Sequence, residues 1–189
     1  MQADPVTRQE LLLVLADCGW FLAMTSSDST LEIRRAVHGD ATAMMRVRSE
    51  AILAKAASHY DQTILQDWAD AGDPARIAKN ISDPDYVVLV AAAGGAMIGF
   101  AMAALSKREL QALYVKPNSV GRIGQGLLAE LEKLAFASLP FLVCDASLNA
   151  EEFYRANGYA AECWKDRPSS SGAVFSRVVQ MRKYRPHFE

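Results

Sequence analysis

The sequence predicts an α/β (α+β mixed) chain. It should form a single mixed, mostly antiparallel sheet of six to seven strands with helices on both faces. Three observations predict this. Short apolar runs and amphipathic segments alternate in the order strand, helices, three-strand meander, helix, strand, helix, two strands. The stretch 109–145 reads strand, helix, strand, which requires one parallel pair inside an otherwise antiparallel sheet. The chain has 189 residues, 51% of them hydrophobic, enough for one core without disulfide or metal staples.

Leu31 to Val37, LEIRRAV, alternates apolar and charged residues like a half-buried strand. Gly39-Asp40 opens a helix whose apolar positions Ala43, Met44, Val47, Ala51 and Ile52 keep helical spacing to about Ala57. A second helix is predicted over Thr63 to Ala71, with Ile64, Leu65 and Trp68 on one face. Asp73-Pro74 opens a third, to about Ile81, because proline suits the first helical position. Asp83-Pro84-Asp85 then closes the helical region. Tyr86 to Ala93 and Ala96 to Leu105 form a hairpin around Gly94-Gly95. Glu109 to Val115 is the next strand, Gly124 to Ser138 a helix, and Phe141 to Asp145 a short strand. Ala150 to Asn157 is a helix closed by Gly158. Tyr159 to Lys165 and Ala173 to Arg182 are the last strands, joined by the loop DRPSSSG.

The expected organisation is an apolar helical arm over residues 1–30 and a domain over residues 31–189. The arm is apolar from Leu11 to Ala16, but Asp17 and Gly19 break it short of the ~20 residues of a membrane span. Met24 is an alternative start. An apolar arm must cover either its own sheet or a neighbouring subunit, so a homodimer is one expectation. A net charge of −2 gives no pull toward nucleic acid or an anionic membrane. Cys18, Cys144 and Cys163 are far apart, with no CxxC or Cys/His cluster, so no metal is expected. They suit a reducing cytoplasm.

The segment LYVKPNSVGRIGQGLL, residues 113–128, runs from a strand through glycines into a helix. Free N–H groups and the positive end of the helix dipole face such a turn, which makes it an anion site. Its GxxGxG order matches neither GxxxxGK[ST] nor GxGxxG, which argues against a P-loop and a dinucleotide fold. A tight packing turn with no ligand is the plain alternative. A second segment follows, DASLNAEEFYRANGYAA, residues 145–161.

Together the two segments resemble the Gcn5-related N-acetyltransferase (GNAT) superfamily. Its nucleotide motif follows a strand as YVxPxxxGxGxGxxLL, and its later motif is N/SxxAxxFYxxxGF. Tyr114-Val115, Pro117, Gly121, Gly124 and Leu127-Leu128 read onto the first; Ser147, Ala150, Phe153-Tyr154 and Gly158-Tyr159 read onto the second. The resemblance covers about residues 31–183. Between Pro117 and Leu127 the chain is one residue shorter than the motif, so "GRIG" stands where "GRGIG" is usual. Arg122 would partly offset the lost amide as a charge-assisted donor.

The resemblance implies an acyl-CoA N-acyltransferase (GNAT) fold with acetyl-CoA as acyl donor and no metal. It places the pyrophosphate on Val120, Gly121, Arg122, Ile123, Gly124, Gln125 and Gly126, and the pantetheine between splayed strands at Leu113, Tyr114, Val115, Ser147 and Asn149. An amine of a small molecule or peptide then attacks the thioester directly. Tyr154 matches the family's acid for the leaving thiolate; its bland alternative is an aromatic that packs the helix. Ser147 contacts pantetheine or merely caps the next helix. Glu109 is a candidate base, or an ordinary partner of Lys107 or Arg108. His59, Tyr60, Trp68 and the 165–172 loop are expected around the acceptor, although a helix-end role suits His59 equally. The competing reading is a catalytically weak acyl-CoA-binding module with a sensor or interaction role.

Overall fold

The computed structural model describes residues 31–168 and 175–186. The N-terminal arm and the tip of the final loop therefore lie outside the described residues. The strands are β1 (Glu32–Arg35), β2 (Tyr86–Ala93), β3 (Ala96–Ala104), β4 (Glu109–Val115), β5 (Phe141–Ser147), β6 (Ala160–Pro168) and β7 (Phe175–Tyr184). The helices are α1 (Ala41–Lys55), α2 (Gln62–Asp70), α3 (Pro74–Ser82), α4 (Ile123–Ala135) and α5 (Glu151–Ala156). The sheet order is β1-β2-β3-β4-β5-β7-β6, and β4–β5 is the parallel pair among antiparallel neighbours.

Strand alternation divides the core in two. On β2, Val87, Leu89 and Ala91 face α4, where Leu127, Leu128 and Leu131 are fully buried. Val88 and Val90 face the other way, with Phe100 and Met102, toward Met44 and Val47 of α1 and Ile77 of α3. Helix α2 lies outside α1 and closes a third cluster of Ile52, Ala56, Leu65 and Ala69. Helix α5 shares the α4 face through Tyr154 and Phe153.

The boundaries depart from the sequence reading where side chains intervene. β1 stops at Arg35 because Asp40 reaches back: its carboxylate accepts from the Val37 N–H and pairs with Arg34, both at 2.8 Å. That pairing holds the Asp40 carboxyl below the usual carboxylate range. His38–Asp40 is consequently a 3-10 turn, and α1 begins only at Ala41. β5 runs on to Ser147 and β6 to Pro168, further than their apolar runs. Among the described residues no helix is long and apolar enough to cross a membrane.

Candidate functional site

β4 and β5 pair at Glu109↔Val143 and Leu110↔Cys144 and then part. The Lys116 N–H bonds the Ile98 carbonyl at 2.8 Å on β3. Alternation therefore turns the N–H groups of Leu113 and Val115 away from β3 and into the gap. A cavity of about 310 Å³ fills this opening, bordered by Leu113, Tyr114, Val115, Ser119, Gly121, Gly124, Ser147, Asn149 and Tyr154, with Lys55 and Trp68 opposite.

The turn from β4 to α4 bonds the amides of Lys116 and Ser119 and leaves those at its helix end without a backbone acceptor among the described residues. Gly121 has φ of 95°, a conformation that favours glycine. The N-cap of α4 is Arg122, which makes no side-chain cap bond. The first amide satisfied inside the helix is Gly126, which bonds the Arg122 carbonyl at 2.9 Å. The N–H groups of Ile123, Gly124 and Gln125 precede it and have no intrahelical acceptor. A Cβ on Gly124 would sit 3.4 Å from the Phe153 ring and 3.7 Å from Leu113, at the cavity wall. Gly126 differs: its Cβ direction faces Ile33 of β1 at 3.1 Å and its amide is spent, so it is a packing glycine rather than a cradle glycine. Val120 is exposed, the Ile123 side chain is in the core, and neither Arg122 nor Gln125 borders the cavity.

Tyr154 is buried among Phe153 and Tyr159, with ring centroids at 5.3 and 5.4 Å. Burial pushes its hydroxyl well above the ordinary tyrosine range, helped by neighbouring Cys144 and Tyr114. It borders this cavity and a second one, so a neutral phenol sits where the two meet. Ser147 ends β5; the N-cap of α5 is Ala150, with no side-chain cap bond, so the serine hydroxyl does not cap that helix. The Asn149 Oδ1 is buried without a hydrogen-bond partner among the described residues. A buried acceptor in that state calls for an external donor.

The second cavity, about 610 Å³, lies between the sheet and α1–α3. It shares Trp68, Leu113, Tyr114, Ser147, Ala150 and Tyr154 with the first. Glu109 borders it, but at the paired end of β4, and accepts from Gln111 Nε2 at 2.9 Å. Four residues of strand, ~13 Å at the usual rise, separate it from Leu113. That distance removes it from direct proton transfer at the gap. Asp145 borders the same cavity, held by Lys165 at 3.4 Å and Arg167 at 3.7 Å.

The expected acceptor residues separate. Trp68 borders both cavities. Tyr60 borders neither: its hydroxyl donates to the Arg177 carbonyl at 2.8 Å and accepts the Leu148 N–H at 2.9 Å. It braces the α1–α2 connection against the end of β5 and against β7. His59 is exposed, with Nδ1 2.8 Å from Ser58 Oγ, and borders neither cavity. Sequence reasoning missed Lys55, one turn beyond Ala51 on α1. It borders the first cavity, burial pulls its ammonium pKa down, and it has no ion pair among the described residues. Its signal was position, at the end of the apolar stripe of α1.

The arrangement is one of orphan amides, a strand gap and a neutral phenol, in a fold that solved structures share. The model of the acetyltransferase (GNAT) domain family matches residues 55–184. No curated protein matches the chain. A crystal structure of a GCN5-related N-acetyltransferase from Rhodopseudomonas palustris is similar at 31% identity and a TM-score of 0.74, covering 82% of this chain and 96% of that one. The PaiA N-acetyltransferase of Thermoplasma acidophilum, solved in complex with coenzyme A, is similar at 23% identity and 0.68, covering 82% and 99%. The yncA structure from Salmonella typhimurium, with acetyl-CoA, has 20% identity and 0.60, covering 82% and 93%. The last two carry the fold alone. With its family match and its closely covered 31% relative, the chain belongs to the GNAT acetyltransferase family.

Proposed function

We propose that the chain is an acetyl-CoA-dependent N-acetyltransferase that moves the acetyl group directly to an amine in a ternary complex. One observation carries this reading: β4 parts from β5 beside an uncapped α4 N-terminus, with Tyr154 at the junction of the two cavities. The amides of Ile123, Gly124 and Gln125, with Gly121, would hold the donor's pyrophosphate. Lys55 adds a nearby cation. Leu113 and Val115 offer N–H groups, and Asn149 an orphan acceptor, to the amides of the pantetheine arm. A strand N–H at Val115 also suits the oxygen of the thioester as negative charge develops on it.

A neutral amine nitrogen attacks the thioester carbon. The C–N bond forms, the C–S bond breaks, and the electron pair leaves on sulfur. Tyr154 would give sulfur a proton, and the proton lost by the amine would restore the phenol through solvent. Two substrates held in adjoining cavities supply most of the acceleration as proximity. The chain is expected to be cytoplasmic, and its apolar arm leaves a homodimer open to test by sedimentation of a form starting at Met24.

One observation favours the second reading, a weak acyl-CoA-binding module: among the described residues no carboxylate or imidazole borders the first cavity. Thiol release separates the two. The enzyme reading expects acetyl-CoA-dependent release of free thiol with at least one amine in a broad panel. Tight acetyl-CoA binding with no turnover on any amine supports the module.

A further inference from the structure

We propose that the acceptor is an amine that also carries a carboxylate, and that Arg48 and Arg76 hold this carboxylate at the α2–α3 corner of the larger cavity. The inference deepens the acetyltransferase reading and rests on it.

Arg48 is held from two sides. Its Nη1 lies 3.3 Å from the Ala69 carbonyl, at the end of α2. Its guanidinium carbon is 5.9 Å from the centre of the Tyr114 ring, and Tyr114 borders both cavities. Arg76 lies in the first turn of α3 and borders the same cavity. Neither arginine forms an ion pair with a carboxylate among the described residues.

The cavity's carboxylates do not answer them. Asp145 is taken by Lys165 and Arg167. Asp67 has an interaction of its own. Glu109 stands at the paired end of β4, bonded by the neutral Gln111. The unanswered charge beside Tyr114 is therefore positive. A bound carboxylate gains bidentate hydrogen bonds from the half-buried Arg48, and Arg76, exposed at the same cavity, adds a second positive charge. A carboxylate on Arg48 and an amine a few carbons away leave the nitrogen beside Tyr114, at the gap. A purely cationic amine meets like charges there instead.

The test uses the full chain and matched probes: L-phenylalanine and L-methionine against phenethylamine and 3-(methylthio)propylamine, with spermidine as a cationic control. Thiol release gives kcat/KM for each. The expected result is at least about ten-fold preference for each amino acid over its decarboxylated pair, the size of one lost charged hydrogen bond. Arg76→Gln should remove most of that preference by lowering kcat/KM for the amino acids, while the two amines and the acetyl-CoA KM stay put. Arg48→Gln should act alike, and a melting curve guards against its loss of the Ala69 contact. Equal or better turnover of the decarboxylated amines or of spermidine overturns the proposal, as does an Arg76→Gln variant with unchanged preference. If no probe turns over, calorimetric titration of the amino acids into the desulfo-CoA complex decides. Binding that Arg76→Gln weakens supports the carboxylate site; no binding overturns it. If desulfo-CoA itself does not bind, the acetyltransferase reading falls separately, and the same titration into the chain alone still judges the arginine pair.

Discussion

The two ends of the β4–β5 pair obey different rules. At Glu109 and Leu110 the strands are in register, and Leu110 and Cys144 disappear into the core under α4. At Leu113 to Val115 the same strand has no partner on that side among the described residues, and its neighbours are a glycine turn, a buried phenol and two cavities. The closed end is held by ordinary ladder bonds and burial. Among the described residues the open end keeps polar groups unsatisfied: the first amides of α4, the N–H groups of Leu113 and Val115, and Asn149 Oδ1. A fold tolerates such groups where a ligand completes them. The difference locates chemistry at one end of a strand pair and stability at the other.

Substitutions at the open end should therefore break function, and those at the closed end should hardly touch it. The largest effect is expected from Gly124→Trp, whose indole would fill the cavity between Phe153 and Leu113. Acetyl-CoA affinity should fall by roughly 100-fold or more, about 3 kcal/mol, while far-ultraviolet circular dichroism keeps its native form. Its neighbour Gly126→Ala, facing Ile33, should leave that affinity unchanged. Equal losses at both positions would undo the distinction between cradle and packing glycines.

Next comes Tyr154→Phe, expected to lower kcat by about 10²-fold with the acetyl-CoA dissociation constant nearly unchanged. The acid form of this group is the neutral phenol, and burial raises its pKa above the ordinary value of 10.0. Its ionisation therefore cannot remove activity at or below pH 10.0, and the pH–rate profile should show no descending limb there from this group. A descending limb in the wild type below that value, absent in the Phe variant, would contradict the assignment.

Tyr60→Phe should lower stability rather than chemistry. It strands the Leu148 N–H and the Arg177 carbonyl, at a cost of about 1–3 kcal/mol, readable as a lower urea midpoint. A drop in kcat with an unchanged midpoint would move Tyr60 into the acceptor site. The smallest effect belongs to Glu109→Gln at the closed end, expected to stay within about two-fold in kcat, because ~13 Å of strand lies between it and the gap. A loss of two orders of magnitude would restore Glu109 as the base and erase the contrast between the ends.

The elements of the fold were legible because their patterns are local. β2 alternates between two clusters, Pro74 begins α3, and Gly158 follows α5, each as its sequence pattern implies. The parallel pair was legible from the strand–helix–strand order. Where those strands part was not, because hydrogen bonds lost along a strand leave no mark in its apolar run. Gly124 and Gly126 look alike in sequence; only the helix phase places one at the cavity and the other against Ile33. Tyr60 looked like a ligand contact because a tyrosine hydroxyl suits either role, and its partners at Leu148 and Arg177 are 88 and 117 residues away. Lys55, Arg48 and Arg76 went unread because a lone cation on a helix is usually a solvated one.

The most direct measurement is calorimetric titration of acetyl-CoA, with desulfo-CoA in parallel, into the full chain. The account predicts one site per chain, dissociation constants in the micromolar range, roughly −8 kcal/mol, for both ligands, and loss of both in Gly124→Trp. Absence of binding at millimolar acetyl-CoA would mean that the open end of β4–β5, with its shortened glycine turn, does not hold the donor.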